Sequence, residues 1–208
     1  MLELINEDCL NINIPKCRLL LTDIPYGVIN RKDNGLRNLN KHHADIETFD
    51  TTKFLNHIYD AFDICIIFCS REQISLISDF FKNKKGTTRQ IIWCKSNPSP
   101  MNGEYVYLSS IENAIYFKKQ GTGKLNCKCK KSYFIYPCGK SKLHPTQKPL
   151  ELFKELILDN TNKNDLVVDT CMGSGTTGVA CKELDRNFIG IEIDKNSYNI
   201  AVNRIGVK

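Results

Sequence analysis

Short apolar runs alternate with stretches of helically spaced apolar residues along nearly the whole chain. This is the pattern of an α/β domain with a mostly parallel sheet. The runs predict strands at Arg18 to Thr22, Asp63 to Cys69, Arg89 to Cys94, Asn113 to Phe117, Asp165 to Asp169 and Phe188 to Ile193. Helices are expected at Thr51 to Phe62, Arg71 to Lys82, Pro149 to Asn160, Gly175 to Leu184 and Lys195 to Ile205. Pro149 suits the first turn of its helix, where a missing N–H costs nothing. The polar stretch 30–47, with Arg31, Lys32, Arg37, Lys41, His42 and His43, has no sustained period and is expected to be a mobile loop and a lid.

A chain of 208 residues is expected to form one domain, 1–208, with a core that needs neither disulfides nor a structural metal. An apolar fraction of 41% excludes collagen-like and wholly disordered chains. The longest apolar run, Ile64 to Cys69, is too short for a bilayer. Glu3, Glu7 and Asp8 stand where a secretory signal would be apolar, so a cytoplasmic protein without membrane contact is expected. Its ten cysteines then read as reduced, mostly buried small residues. Cys127, Cys129, Cys138 and His144 match no common zinc spacing, and no metal site is expected.

The net charge of +6 has a local origin. Lys118, Lys119, Lys124, Lys128, Lys130, Lys131, Lys140, Lys142 and Lys148 lie between Glu112 and Glu151, a stretch without acidic residues; the rest of the chain holds 20 basic and 23 acidic residues. With Tyr133, Phe134 and Tyr136 interleaved, this strip has the footprint of a polyanion binder, nucleic acid being the commonest partner. A solvated lysine-rich loop is the plain alternative.

Leu166 to Met172 runs into Gly173-Ser174-Gly175-Thr176-Thr177-Gly178 and a helix, with Glu192 closing the next strand. This is G-x-G-x-x-G in strand–turn–helix context, where small residues let backbone N–H groups approach a ligand and the carboxylate can accept ribose hydroxyls. Asp169, immediately before the turn, disfavours a pyrophosphate but attracts a ligand carrying an ammonium and a sulfonium, which describes S-adenosylmethionine (SAM). An NAD-dependent oxidoreductase is the competing reading. Few residues follow the turn, so the rest of the sheet must come from upstream.

Upstream, Leu19-Leu20-Leu21-Thr22 leads into Asp23-Ile24-Pro25-Tyr26. Ligands gather at the carboxyl ends of strands in open α/β sheets, so Asp23 and Asp169 should face one cleft. Methylation of a ring-conjugated amine suits this set. Asp23 and the Ile24 carbonyl can accept its N–H hydrogens, Pro25 holds Ile24 extended, and Tyr26 can stack on the base.

On these residues the chain resembles the DNA amino-methyltransferases, which methylate adenine N6 or cytosine N4. Asp23 to Tyr26 is similar to the family's D-P-P-Y, His144 to Pro149 matches H-P-T-Q-K-P, and Asp169 to Thr177 is similar to D-P-F-x-G-S-G-T-T. Gly190 to Asp194 resembles the next motif, Glu7-Asp8-Cys9-Leu10 the segment that contacts the SAM adenine, and Trp93 to Pro98 the W-x-K-x-N-P element. The order, catalytic motif before cofactor motif, is that of the beta group and implies a circularly permuted, Rossmann-like SAM-dependent methyltransferase fold with a doubly wound sheet.

The resemblance implies catalytic roles for Asp23, Ile24, Pro25 and Tyr26. It implies SAM contacts from Asp8, Cys9, Thr146, Gln147, Lys148, Asp169, Gly173, Ser174, Gly175, Thr176, Thr177, Glu192 and Ile193, with Thr146, Gln147 and Lys148 at the methionine end. Residues 118–143 would be a short target-recognition segment, with Lys124, Lys128, Lys130 and Lys131, joined by Arg31, Lys32, Arg37 and Lys41, on duplex DNA whose target base is flipped out. Ile24 departs from the family's first proline: its carbonyl survives in a less rigid turn. Asp at the first position favours adenine N6; cytosine N4, an RNA or protein amide acceptor, a catalytically silent DNA-binding relative, a restriction partner and a homodimer stay open.

Overall fold

The computed structural model describes residues 1–26, 49–100, 103–139 and 148–207. Eight strands form one sheet: β1 (Leu2–Ile5), β2 (Cys17–Asp23), β3 (Phe62–Cys69), β4 (Gly86–Lys95), β5 (Ile111–Lys119), β6 (Tyr133–Tyr136), β7 (Leu166–Asp169) and β8 (Asn187–Ile191). Five helices cover it: α1 (Thr51–Ile58), α2 (Ile74–Lys82), α3 (Leu150–Asn160), α4 (Thr176–Glu183) and α5 (Lys195–Ile205). The strand order is β1-β8-β7-β2-β3-β5-β4-β6. Every pairing is parallel except the two made by β5, which runs antiparallel between β3 and β4.

Strands β2, β3, β7 and β8 are buried along nearly their whole length because both faces of the sheet are covered there. Alternate residues of β2 and β3 divide between two cores. Leu19, Leu21, Ile64, Ile66 and Phe68 meet α3, α4 and α5, whereas Leu20, Cys65 and Ile67 meet α1 and α2. This is the three-layer doubly wound architecture that the alternation of elements implies.

Several boundaries differ from expectation, each for a local reason. The helix from Thr51 ends at Ile58, because Phe62 pairs with Cys17 and opens β3. The helix expected from Arg71 begins at Ile74, because the Gln73 carboxamide accepts from the Ser70 N–H and closes a side-chain turn first. Strands β1 and β6 are four residues each and draw their order from the neighbours β8 and β4. All ten cysteines are free, and five are buried. Among the described residues no helix is long and apolar enough to cross a membrane.

Two strands far apart in sequence decide where the site lies. Leu19 and Leu20 of β2 pair with Val167 and Val168 of β7, so the strand that ends in Asp23 and the strand that ends in Asp169 lie side by side. The Thr170 and Thr22 hydroxyls share a hydrogen bond of 3.2 Å between these strand ends.

Candidate active site

The Asp23–Tyr26 turn is held from three sides. The Ile24 N–H donates to the Phe68 carbonyl at 3.2 Å, which carries the β2–β3 ladder one residue past Asp23, and the Ile24 side chain is buried. The Gln73 carboxamide, at the start of α2, donates to the Pro25 carbonyl at 2.9 Å. The Tyr26 hydroxyl donates to Asp23 Oδ1 at 2.9 Å. Burial and the adjacent Asp23 charge push the Tyr26 phenol well above its ordinary range, so it stays a donor.

Four charged side chains meet at this turn. Lys148 Nζ lies 2.5 Å from Asp23 Oδ2, 3.1 Å from Glu112 Oε2 and 3.2 Å from the Tyr26 hydroxyl. Lys95 Nζ lies 2.8 Å from Glu112 Oε1. Burial alone would drive the Lys148 ammonium toward neutrality; Asp23, Tyr26 and Glu112 more than offset it, and the net shift is upward. Burial likewise opposes the Glu112 charge, but Lys148 and Lys95 win and keep it below the usual carboxylate range.

The other half of the site grows from β7. Asp169 is 3% exposed, accepting from the Cys171 N–H at 3.2 Å and the Thr177 hydroxyl at 2.5 Å. Its pKa is pushed up to about 7, chiefly by burial, against the pull of these donors. Gly173 has φ +52° with open space where a Cβ would point, and Gly175 caps α4 at φ +81°, a left-handed conformation that glycine adopts without penalty. A Cβ on Gly178 would stand 2.4 Å from Ile205 and 2.7 Å from Phe188, so that glycine lets α4 close onto β8 and α5.

Glu192 accepts from the N–H groups of Gly173 and Asp194, each at 2.8 Å, and its carbonyl accepts from the Asn6 carboxamide. Asp8 caps the short 3₁₀ turn Cys9–Asn11 through the Leu10 N–H, and buried Cys9 is hydrogen-bonded to Cys171. Ile193 is half exposed beside them. A cleft joins the two halves, lined by Asp23, Lys148, Phe153, Asp169, Met172 and residues of the glycine turn.

The profile of the N6/N4 DNA methylase family matches residues 17–203. The chain belongs to this family. The crystal structure of an M1.HpyAVI–SAM complex is similar to it at a TM-score of 0.78 and 31% identity, covering 98% of this chain and 100% of that one. The cytosine-N4-specific PvuII DNA methyltransferase shares the fold at a TM-score of 0.75 and 17% identity, over 98% and 86% of the two chains. Among curated relatives, the type II methyltransferase M2.LlaDCHI of Lactococcus lactis subsp. cremoris is 36% identical over 121 residues, 57% of this chain and 42% of the relative. M.HindIII of Haemophilus influenzae is 52% identical over 65 residues, 31% and 21% of the two. The chain thus spans less than half the length of these curated relatives.

For this DNA methylase family member, the structure brings together Asp23, Ile24, Pro25, Tyr26, Lys148 and Asp169 with the glycine turn, and sets Asp8, Cys9, Glu192 and Ile193 at the adjacent strand ends. Lys148 lines the cleft, but its ammonium is engaged by Asp23 and Glu112 rather than turned to solvent. Thr146, Gln147, Arg31, Lys32, Arg37 and Lys41 lie outside the described residues.

The lysines of residues 124–131 lie away from the cleft. Because β5 runs antiparallel to β3, with Lys118 opposite Ile64, the chain leaves β5 at the amino end of the sheet, away from Asp23. From there it runs along the end of α3, where the Asn126 N–H donates to the Asp159 carbonyl. Lys130 is paired with Asp159 and Glu155, and Lys131 donates to the Tyr133 hydroxyl. The described part of 118–143 contains the end of β5 and all of β6. Lys124, Lys128, Lys130 and Lys131 are therefore not brought to the cleft. Among the described residues, the β4–β5 connection, in which Tyr105, Val106 and Tyr107 are exposed, leaves the sheet at the end that holds Asp23.

Sequence reasoning missed Gln73, Lys95, Glu112 and Phe153. Lys95 carried a signal as the central residue of Trp93 to Pro98. That segment also fixes the exit of β6: the Trp93 indole N–H donates to the Tyr136 carbonyl at 2.9 Å, and Asn97 Oδ1 accepts from the Cys138 N–H at 2.6 Å. Glu112 had one as the last acid before the acid-free stretch. Gln73 and Phe153 had none, since an amide in a turn and an aromatic on a helix are ordinary there.

Proposed function

We propose that this chain transfers a methyl group from SAM to the exocyclic amine of a base flipped out of duplex DNA, with adenine N6 favoured. The observation that carries the reading is the pair of carboxylates, Asp23 and Asp169, at the ends of adjacent strands on one cleft. The donor set fits SAM. Asp169 is an anion for a cationic ligand, Glu192 is poised at the edge where a ribose would lie, and half-exposed Ile193 offers an apolar face to an adenine.

SAM supplies an electrophilic methyl group on a positively charged sulfur. The chain's own residues prepare the acceptor. An exocyclic amine is a weak nucleophile because its lone pair is delocalised into the ring. Asp23 and the Ile24 carbonyl accept its two N–H hydrogens, which favours pyramidal nitrogen and directs the lone pair toward the methyl carbon. As the N–C bond forms and the S–C bond breaks, positive charge develops on the nitrogen beside Asp23, and one N–H proton leaves through that carboxylate to solvent. Tyr26 stacks on the flipped base. Ile24 supports turnover despite the missing proline, because the Phe68 carbonyl and Gln73 hold the turn from outside.

The test is incubation with methyl-labelled SAM and duplex DNA, digestion, and identification of the labelled nucleoside. N6-methyl-2′-deoxyadenosine is expected, and label confined to deoxycytidine would overturn the adenine assignment. Asp23→Ala should bind SAM and lose turnover; full activity would remove Asp23 from its role.

A further inference from the structure

Glu112 is, with Lys148 and Lys95, a charged group that the scheme above leaves without a task. It is the second residue of β5, pairs with Trp93 across the β4–β5 ladder and is largely buried. From there it joins a row of alternating charge, Asp23, Lys148, Glu112 and Lys95, with successive contacts of 2.5, 3.1 and 2.8 Å. An ammonium given wholly to Asp23 would neutralise the carboxylate that must accept an amine hydrogen. An ammonium shared between two carboxylates leaves Asp23 most of its acceptor strength while still balancing the buried charge.

We infer that Glu112 is a positioning residue for methyl transfer: it draws the Lys148 ammonium toward itself and so keeps Asp23 available to the target amine. The inference rests on reading the site as a methyl-transfer centre. Lys95 sets how strongly Glu112 pulls, because it competes with Lys148 for the same carboxylate. The other titratable groups facing Asp23 are Tyr26 on its own turn, Cys69 at the end of β3 and Asp169 at the end of β7. None of these bridges to Glu112 through a charge of opposite sign.

The arrangement predicts opposite responses from two near-isosteric variants. Glu112→Gln removes the competing anion, commits Lys148 to Asp23 and makes protonation of the site harder. Lys95→Gln frees Glu112 to pull Lys148 away and makes it easier. Single-turnover methyl transfer at saturating SAM and duplex DNA should slow about tenfold in Glu112→Gln, with SAM affinity within about twofold of wild type. The acid side of its rate profile should move down by on the order of one pH unit, and that of Lys95→Gln should move up. A purely structural role for Glu112 would not give shifts of opposite sign. Wild-type rate and profile in Glu112→Gln, or profiles that move the same way in both variants, would overturn the inference. A wild-type chain that labels no DNA would refute the methyl-transfer reading instead. The shared ammonium then remains testable by urea unfolding of Glu112→Gln, Lys148→Gln and the double variant, where strictly additive losses would overturn it.

Discussion

If Asp169 binds the cationic end of SAM, it must be ionised to do so, and burial holds its pKa at about 7 in the unliganded protein. An ordinary aspartate is fully ionised at neutral pH; this one is about half protonated there. Ligand binding should therefore expel about half a proton at pH 7 and nearly one at pH 6. The apparent affinity should weaken about twofold at pH 7, about tenfold at pH 6 and about a hundredfold at pH 5, relative to its plateau above pH 8. Isothermal titration with SAM in buffers of different ionisation enthalpy reads both quantities. The same group bears on stability with a definite sign. Its folded-state pKa is raised, so between about pH 4 and 7 the folded protein holds a proton that the unfolded chain has lost. Stability without ligand should fall as pH rises through that window and level off above it. Asp169→Asn removes the titration. SAM affinity should become flat with pH and weaker by at least about tenfold at pH 7.5, for want of the charge. The unliganded variant should be more stable at pH 8 by up to about 4 kcal/mol, less about 1 kcal/mol for the hydrogen bond that an amide cannot accept. A wild-type affinity that does not change between pH 5.5 and 7.5, with no proton released, would refute the electrostatic role of Asp169.

Gly178→Ala places a methyl group against Ile205 and Phe188, and should cost about 1 to 3 kcal/mol in urea unfolding while weakening SAM binding through displacement of α4. An unchanged unfolding midpoint would mean that α4 is not packed this closely. Because residues 120–132 leave β5 at the amino end of the sheet, Lys128→Gln with Lys131→Gln should leave methyl transfer to a short duplex unchanged, whereas Tyr107→Ala, on the exposed β4–β5 loop, should weaken binding of that duplex several-fold without changing stability. The reverse outcome would restore the lysine strip to the DNA-binding face.

Much of this protein is legible from order along the chain. Alternation of apolar runs and helical spacing predicts six of the eight strands and all five helices of the described residues, because strands covered on both faces must be apolar throughout. The glycine turn and Asp23 to Tyr26 carry their chemistry in short contiguous runs, and local conformation requires those residue types at those spacings. Their convergence on one cleft follows from the rule that ligands collect at the carboxyl ends of parallel strands. Strands β1 and β6 escaped because four residues carry no period of their own; β7, equally short, is legible because it runs directly into the glycine turn.

What only the tertiary structure decided concerns direction and pairing. The sequence shows that nine lysines fall in one acid-free segment, but composition has no direction. A single antiparallel strand, β5, sends most of the described part of that segment to the far end of the sheet and brings an aromatic loop to the near end. Lys148, counted by sequence with the strip, is instead enclosed between Asp23 and Glu112, residues 125 and 36 positions away. Charge on a chain is additive and can be summed from the sequence. Electrostatic function depends on which opposite charge lies within a few ångströms in a medium of low dielectric, and that distance exists only after the sheet has formed.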